Sequence, residues 1–229
     1  MPPDASTSLD LRAKEATSEA AQDGADISFT LLDRTTGRVL KGGDDAPFPV
    51  ASVSKLFIAD DLLLQVAKGQ RQLTTDEQQS FDAMLRSSDD SAAEVFWGGE
   101  GGGSAIISRV TARYGLTSTS VPYDGNWWNT MSTTADLVRY YDMLLDGAGG
   151  LPASQASVIL GDLSASTPTG VDGYPQRFGI PRRAVRGTRC GQAGLDVLLE
   201  RRQLAAHVYR GGDRTGSAFR ACHGLTAAG

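Results

Sequence analysis

The alternation of apolar and polar positions predicts strands near both ends of the chain and helices between them. Residues 26–32 alternate β-branched and aromatic types with polar ones, and a turn at 35–37 joins them to a second strand at 38–41, which indicates a β-hairpin. From residue 53 to 67 the apolar residues recur at helical spacing, and Gly69 ends that helix. The pattern therefore changes from a strand to a helix once the hairpin and its following loop have passed.

The rest of the chain continues these two patterns. Polar residues that favour helix starts precede several further helices, with Thr74 or Thr75, Ser104, and Ser132 or Thr133 as the expected caps. The predicted helices are 9–22, 53–67, 75–85, 91–97, 104–114, 133–145, 152–163 and 217–222; the predicted strands are 26–32, 38–41, 184–190, 195–199 and 204–209; and the predicted loops include 42–49 and 164–181.

This order of elements predicts an α+β protein. Strands come from both chain ends and a block of helices lies between them, so we expect one sheet assembled from the two ends and an all-helical domain inserted between its parts. We place the sheet domain at 1–50 and 165–229, the helical domain at 51–164, and the active site at their interface. A chain of 229 residues is long enough to bury a sizeable core without staples.

Composition and charge argue against several classes of partner. The chain has 22 basic and 27 acidic residues, a net charge of −5, which makes a nucleic acid an unsuitable partner. No apolar run reaches the roughly 20 residues that a membrane-spanning helix needs. The first eight residues hold no basic or apolar segment, so we expect no signal peptide within this sequence. Because a chain trimmed of its export signal would look the same, the composition leaves the location open.

Histidines and cysteines are few. His207 and His223 are the only histidines, so we expect no zinc hydrolase site, no metal and no cofactor. Cys190 and Cys222 permit either one disulfide or two buried thiols, and the sequence leaves both open. Lysines are also scarce, so a lysine at a catalytic spacing is less easily a matter of chance; the four are Lys14, Lys41, Lys55 and Lys68.

The strongest chemical pattern is the pair Ser52 and Lys55 at the start of the predicted helix 53–67. Residues three apart share a helix face, so the Ser52 hydroxyl and the Lys55 amine are expected to meet over the first turn. A serine hydroxyl becomes a good nucleophile when a neighbouring base takes its proton, and a lysine with a lowered pKa is such a base. The alternative is structural: Ser52 or Ser54 caps the helix and Lys55 is solvated.

A second pattern, Ser88-Asp89-Asp90, lies between two predicted helices. A loop at this place can present Ser88 and Asp90 across a cleft from Ser52. The alternative is again that these residues cap the next helix, where serine and aspartate are preferred. That alternative does not account for both patterns occurring in this order.

Together these segments resemble the class A β-lactamases and the related penicillin-binding proteins. Residues 48–55 resemble the family's Ser-x-x-Lys segment, and Ser88-Asp89-Asp90 with the following Ser-Ala-Ala is similar to its Ser-Asp-Asn loop. Residues 115–117 and 133–137 are similar to the family's middle segments. The resemblance covers most of the chain from the first hairpin onward. It implies a β-lactamase/transpeptidase-like α+β fold, an α/β sandwich in which helices flank an antiparallel sheet.

The family's third element, a Lys-Thr-Gly or Lys-Ser-Gly on a strand, is altered. Arg189-Cys190-Gly191 keeps a cation, a small side chain and the glycine, and we prefer this register. Arg186-Gly187-Thr188 keeps the cation but places threonine where the family has glycine. By resemblance, Arg189 or Arg186 binds a substrate carboxylate, and a backbone N–H near Gly191 joins that of Ser52 in an oxyanion hole. Both arginines are ordinary strand-surface residues in the alternative interpretation.

Two more departures concern acids. Asp90 stands where the family has asparagine, and an ionised carboxylate cannot donate a hydrogen bond to a substrate carbonyl. A carboxylate beside Lys55 is also expected to raise the lysine's pKa and weaken it as a base. The chain has no glutamate between Glu100 and Glu200, whereas class A enzymes use one on a middle loop to activate the deacylating water. Asp124 is the only acid in the loop 123–129.

The resemblance therefore implies a serine hydrolase or acyltransferase that forms an acyl-enzyme at Ser52 and deacylates slowly. Lys55 acts as base, Ser88 relays a proton to the leaving nitrogen, and Asp90 contacts substrate. Substrates of this kind are β-lactams, D-alanyl peptides or related esters. Ser88 follows Ser52 by 36 residues, a short spacing that implies a trimmed helical domain. Trp127 and Trp128 in the same loop could line a pocket, but packing is the commoner role of such residues and is the one we expect.

Two other hypotheses remain at this point. A catalytically degraded relative that serves as a binding or interaction module accounts for Asp90, the altered third element and the missing glutamate. An unrelated helical protein with chance serines predicts no mixed sheet. For the leading hypothesis we expect a small-molecule or cell-wall-peptide substrate, a monomer, and export to the cell envelope, periplasm or medium.

Overall fold

A computed structural model of the protein describes residues 5–22, 24, 26–176, 188–192, 195–199 and 203–210. In these ranges, none of the helices is both long and apolar enough to span a membrane. The helices are α1 (Ala5–Gln22), α2 (Ser54–Ala67), α3 (Thr75–Arg86), α4 (Asp90–Trp97), α5 (Ser104–Tyr114), α6 (Thr134–Asp146) and α7 (Ala153–Ser164). The strands are β1 (Asp26–Asp33), β2 (Arg38–Gly42), β3 (Phe48–Pro49), β4 (Met131–Ser132), β5 (Thr188–Gln192), β6 (Leu195–Leu199) and β7 (Gln203–Arg210).

The main sheet is built from both parts of the chain, as the order of elements predicts. Its five strands lie in the order β2-β1-β7-β6-β5, and every neighbouring pair is antiparallel. Strand β7 is central, and β1 lies between β7 and β2, with Leu31 opposite Leu40 of β2 and Ala205 of β7. The predicted α+β fold with an antiparallel sheet is therefore confirmed. The predicted helix at 217–222 lies outside the described residues.

Helix α2 forms the centre of the helical part. Its residues from Ser54 to Leu64 are all buried, and it contacts α3, α4, α5 and α7. A helix that is apolar on nearly every side can be stable only when other elements surround it. Phe57 packs edge-on against Tyr140 of α6, with ring centroids 5.0 Å apart. This packing fixes the first turn of α2, and with it Lys55, inside the core.

Helix α6 links the helical part to the sheet. It packs on β1 and β7, and the hydroxyls of Thr30 and Thr134 share a buried hydrogen bond of 2.8 Å. Thr133 caps α6, because its hydroxyl accepts the backbone N–H of Asp136. Helix α6 thus joins the main sheet to the helical part. The domain boundaries at residues 50 and 165 stay a prediction.

The residues that cap the helix N-termini agree with the predicted ones at α3 but not at α5. Thr74 caps α3 in a capping box, in which Glu77 donates its N–H to the Thr74 hydroxyl and accepts the Thr74 N–H. Ser104, in contrast, is the first residue of α5 and not its cap. Gly103 takes the cap position with φ 62°, a backbone conformation that glycine adopts without the steric cost of a Cβ atom.

Two buried aspartates of α2 bind the neighbouring helices through charged hydrogen bonds. Asp60 is fully buried and accepts hydrogen bonds from Arg113, Tyr114 and Tyr140. Burial raises the pKa of Asp60, and the Arg113 guanidinium opposes that shift. Asp61 forms a two-pronged pair with Arg109, at 2.8 and 2.7 Å. These contacts tie α2 to α5 and α6 on the side away from Lys55.

Substitution of Asp60 tests this anchoring. Asp60→Ala removes the charged partner of the half-buried Arg113 guanidinium and the acceptor of the buried Tyr114 hydroxyl, while the Tyr140 hydroxyl keeps the Leu56 carbonyl. We therefore expect the free energy of unfolding to fall by about 3–5 kcal/mol. Urea denaturation measures the change. As a control, Asp45→Ala breaks the exposed Lys41–Asp45 pair and is expected to cost less than about 1 kcal/mol. Equal losses in the two variants would contradict the role of Asp60.

Candidate active site

Ser52 lies in a short, constrained segment between β3 and α2. Residues 48–49, which the sequence predicts as loop, form strand β3 and pair with β4, and the Val50 N–H donates to the Thr130 carbonyl at 2.8 Å. A 3-10 turn, Ala51–Val53, then leads into α2, and Ala51 has a positive φ of 46°. Such backbone outliers cost about 1–3 kcal/mol and persist where surrounding structure enforces them. The turn leaves Ser52 9% exposed.

The three predicted catalytic residues, Ser52, Lys55 and Ser88, lie within hydrogen-bond distance of one another. The side chain of Lys55 is fully buried, and its Nζ donates to Ser52 Oγ at 3.2 Å and to Ser88 Oγ at 2.9 Å. Ser88 Oγ donates in turn to Ser52 Oγ at 3.0 Å. The two hydroxyls and the amine therefore form a closed triangle, in which a proton can pass from one oxygen to either neighbour.

Lys55 has two further acceptors. Its Nζ donates to the Ser88 carbonyl at 2.7 Å and to Asp90 Oδ1 at 2.6 Å, and Asp90 is itself largely exposed. An ammonium has three protons, so these four contacts compete for them. The Asp90 bond is the shortest and charge-assisted, and it favours the protonated form of Lys55.

The Ser88 loop is held in an unusual backbone conformation by a segment far along the chain. Ser88 has φ 53°, in the left-handed region that residues with a Cβ atom rarely adopt. The Val171 N–H donates to the Ser87 carbonyl at 2.9 Å, and the Thr167 N–H donates to the Arg86 carbonyl at 2.8 Å. The loop 165–176 therefore braces the residues just before Ser88. No pattern in the sequence predicts this bracing.

Burial sets the direction of the Lys55 pKa. Desolvation of the ammonium is the largest effect and lowers the pKa below the usual lysine value. Asp90 opposes it by hydrogen bonding and by its charge, and Asp89 and Asp172 oppose it by charge alone. The expectation that Asp90 raises the pKa is thus right in sign for that contact, but the net shift is downward. A base is available at lower pH than in an exposed lysine.

Trp127 combines packing, the role that we expect from the sequence, with a direct contact to the site. Its ring is buried, as expected for packing, but it lies against Lys55, with Nζ 4.8 Å from the ring centroid. The indole N–H donates to the Glu94 carboxylate at 2.7 Å, and Trp128 packs on it edge-on. A cation over an aromatic face is stabilised electrostatically, so Trp127 also favours protonated Lys55.

Asp124, the one acid of the loop 123–129, makes its side-chain hydrogen bonds within that loop and not with Ser52 or Lys55. Its carboxylate accepts hydrogen bonds from the side chains of Asn126 and Asn129, both at 2.7 Å, within its own exposed loop. Desolvation acts to raise the pKa of Asp124, but the hydrogen bonds from Asn126 and Asn129 together lower it below the usual value. In this loop the side chain that reaches Lys55 is therefore the Trp127 ring and not a carboxylate.

The residues of the third predicted element are only partly described. Arg189 and Gly191 lie on β5, where they pair with Leu198 and Asp196 of β6, and β5 forms one edge of the main sheet. Arg186 lies outside the described residues, as does Cys222 of the possible disulfide. Whether Arg189 or Arg186 serves the site stays a prediction.

Comparison with known proteins shows which families and folds this chain is similar to. Residues 11–80 match the sequence model of a β-lactamase enzyme family. The chain is also similar to curated proteins named "Putative lipoprotein LppW" from Mycobacterium tuberculosis and Mycobacterium bovis, with 56% identity over 173 residues. That alignment covers 76% of this chain and 55% of the relatives, so the chain spans about half their length.

Solved structures share the whole fold at low sequence identity. A β-lactamase from Xanthomonas campestris superposes with a TM-score of 0.75 at 17% identity, over 96% of each chain. The class A β-lactamase from Mycobacterium abscessus superposes with a TM-score of 0.71 at 18% identity, over 95% of this chain and 98% of that one. The chain therefore has the fold of these β-lactamases, and its residues 11–80 are similar in sequence to a β-lactamase enzyme family.

A lysine titration tests the electrostatics of the site. With four lysines in the chain, ¹³C-labelled lysine side chains give a spectrum simple enough to follow by NMR, and Lys55→Met assigns the Lys55 signal. We expect Lys55 to titrate below the ordinary value of about 10.4 because burial disfavours its charge.

Two aspartate variants separate contact from charge in the same titration. Asp90→Asn removes the charged partner at 2.6 Å and is expected to lower the Lys55 pKa further. Asp89→Asn removes a neighbouring charge without a bond to Lys55 and keeps an oxygen to cap α4, so a smaller decrease is expected. An unchanged pKa in Asp90→Asn would contradict the described contact.

Proposed function

We propose that the protein is a serine acyltransferase or hydrolase that forms an acyl-enzyme at Ser52. Ser52 Oγ attacks the substrate carbonyl, Lys55 takes its proton, and Ser88 passes a proton to the leaving nitrogen or oxygen. The observation that carries this proposal is the closed triangle of Ser52, Lys55 and Ser88, with all three separations at 2.9–3.2 Å. A capping serine and a solvated lysine do not produce that geometry.

The substrates we propose are β-lactams, D-alanyl peptides or related amides and esters. The family match and the fold support this substrate class, because the solved structures with this fold are named as β-lactamases. Arg189, or in the other register Arg186, would bind a substrate carboxylate as a fork of two N–H donors. The backbone N–H groups of Ser52 and of the strand near Gly191 would stabilise the oxyanion.

Slow deacylation is part of the proposal. The chain lacks a glutamate between Glu100 and Glu200, and the loop 123–129 places the Trp127 ring 4.8 Å from Lys55 Nζ. An indole ring cannot accept a proton from an attacking water, and its apolar face excludes water from that side of Lys55. An acyl group on Ser52 is therefore expected to outlast the one in an efficient β-lactamase.

The remaining features of the proposal concern the setting of the protein. Its relatives are named as lipoproteins, which supports a location in the cell envelope. We propose a small molecule or cell-wall peptide as its partner, no cofactor, and a monomer in solution. The division into a sheet domain at 1–50 and 165–229 and a helical domain at 51–164 belongs to the same proposal.

One observation favours a second function, that of a binding module without catalysis. The Lys55–Asp90 bond of 2.6 Å stabilises an ammonium, and a protonated lysine cannot take the Ser52 proton. If that bond persists when substrate binds, the site recognises a ligand without reacting with it. The downward shift of the Lys55 pKa argues for the catalytic function instead.

Acylation by penicillin separates the two functions. The protein is incubated with benzylpenicillin, and intact mass is followed over time for the wild type, Ser52→Ala and Ser88→Ala. We expect one long-lived adduct per wild-type chain, none on Ser52→Ala, and acylation of Ser88→Ala slowed by about 10²-fold or more, because the proton relay is lost. Ser87→Ala is the matched control, since in the described part of the chain the Ser87 hydroxyl bonds to the Ala83 carbonyl of α3 and to no group of the site.

The outcomes are distinct. An adduct on Ser52→Ala would place the reaction elsewhere and contradict the assignment of Ser52. No adduct and no consumption of the drug by the wild type would remove β-lactams from the proposed substrates. If a panel of esters then also failed to react, the binding-module function would replace the catalytic one.

A further inference from the structure

Asp90 is the exposed partner of the buried Lys55 at the candidate site, and its carboxylate presents only acceptors. Its side chain is 69% exposed, while Lys55 behind it is fully buried. Oδ1 accepts the bond from Lys55 Nζ at 2.6 Å, and no other described side chain is recorded as donating to the carboxylate. The exposed face of Asp90 therefore offers lone pairs and negative charge to a ligand that enters beside Ser52.

Two further carboxylates add negative charge near Asp90. Asp89 adjoins Asp90 at the start of α4, and Asp172 comes from the loop 165–176, which bonds to Ser87. Both act on the charge of Lys55 together with Asp90. Three described carboxylates therefore favour a positive charge at this point of the site.

We propose that Asp90 is a specificity determinant that selects acyl donors with an ammonium group next to the scissile carbonyl. Esters and amides of amino acids with a free α-amino group have this arrangement. Donors that present only acceptors at this point, such as an acylated amine's carbonyl or a carboxylate, meet a like charge. This inference rests on the proposed acyl transfer at Ser52 for its reaction, but the recognition itself needs only Asp90.

The same contact couples recognition to the state of Lys55. When a substrate ammonium binds Asp90, it replaces the Lys55 ammonium as the counter-ion of that carboxylate. The Lys55 ammonium then loses a proton to bulk water, and its neutral amine can take the proton of Ser52 as the Ser52–carbonyl bond forms. An uncharged acceptor-only donor leaves Lys55 paired with Asp90, so its acylation depends on the smaller fraction of neutral Lys55 and is slower. Selection therefore acts on the reaction rate as well as on affinity.

Binding to an unreactive variant tests the recognition without the chemistry. Ser52→Ala is titrated by calorimetry with D-alanine methyl ester and with its N-acetyl derivative, at about pH 6.5, below the pKa near 8 of an α-amino group. We expect the ammonium ester to bind at least about 10-fold more tightly than the N-acetyl ester, because only the former pairs with Asp90.

A second substitution assigns the preference to Asp90. In Ser52→Ala/Asp90→Asn the preference is expected to disappear, since an amide carries no charge and can donate to the carbonyl of the N-acetyl ester. In Ser52→Ala/Asp89→Asn, the matched control, the preference is expected to remain within about threefold, because Asp89 caps α4 through the Ala92 N–H and is not bonded to Lys55.

The results distinguish this inference from the proposed function. An absent preference, a preference that survives Asp90→Asn, or no measurable binding of the ammonium ester would each overturn the role of Asp90, even if penicillin acylates the wild type. A preference that depends on Asp90 in a protein whose Ser52 never reacts would support the recognition and contradict the acyl transfer.

Discussion

The hydrogen bonds of the buried Lys55 ammonium are the contacts on which the site depends. The ammonium joins the first turn of α2 to the loop after α3 through bonds to Ser52, Ser88 and Asp90. A charge taken out of water is costly unless partners replace its hydration, so the lysine forces those residues to converge. The aromatic packing behind α2 and the pairing of β3 with β4 serve to hold the serine and the lysine at that point.

Two opposing influences act on that lysine. Burial favours the neutral amine that catalysis needs, whereas Asp90, two further carboxylates and the Trp127 ring favour the ammonium. A site with asparagine in place of Asp90 lacks the strongest of the opposing influences. The protein therefore has the fold of a β-lactamase together with a carboxylate that favours the charged form of Lys55. Under the proposed acyl transfer, the substrate has to overcome that effect.

The sequence predicts most of the fold, because the relevant signals are local. The hairpin of β1 and β2, the capping box at Thr74 and the period of α2 depend on neighbours within a few residues. The wrong cap at Ser104 has the same origin: a serine is the better cap by composition, but Gly103 alone accepts the backbone conformation that the loop requires there. The short strands β3 and β4 depend on a partner about 80 residues away, as the Val50–Thr130 bond shows, and no local pattern reveals them.

The candidate site divides in the same way. The meeting of Ser52 with Lys55 follows from helical spacing, and the Ser88 loop from its resemblance to a known segment. The position of Trp127 against Lys55 and the bracing of Ser88 by the loop 165–176 depend on contacts between distant segments. A tryptophan in a loop is more often a packing residue, and only the folded arrangement shows that its ring also faces a charged group.

The most direct test of the central claim is the first turnover with p-nitrophenyl acetate in a stopped-flow spectrometer. If Ser52 is a nucleophile activated by Lys55 and deacylation is slow, about one p-nitrophenolate per chain is released in a rapid burst before a slow steady phase, and Ser52→Ala abolishes the burst. Release that is linear from the start, and equal in the wild type and Ser52→Ala, would contradict the account.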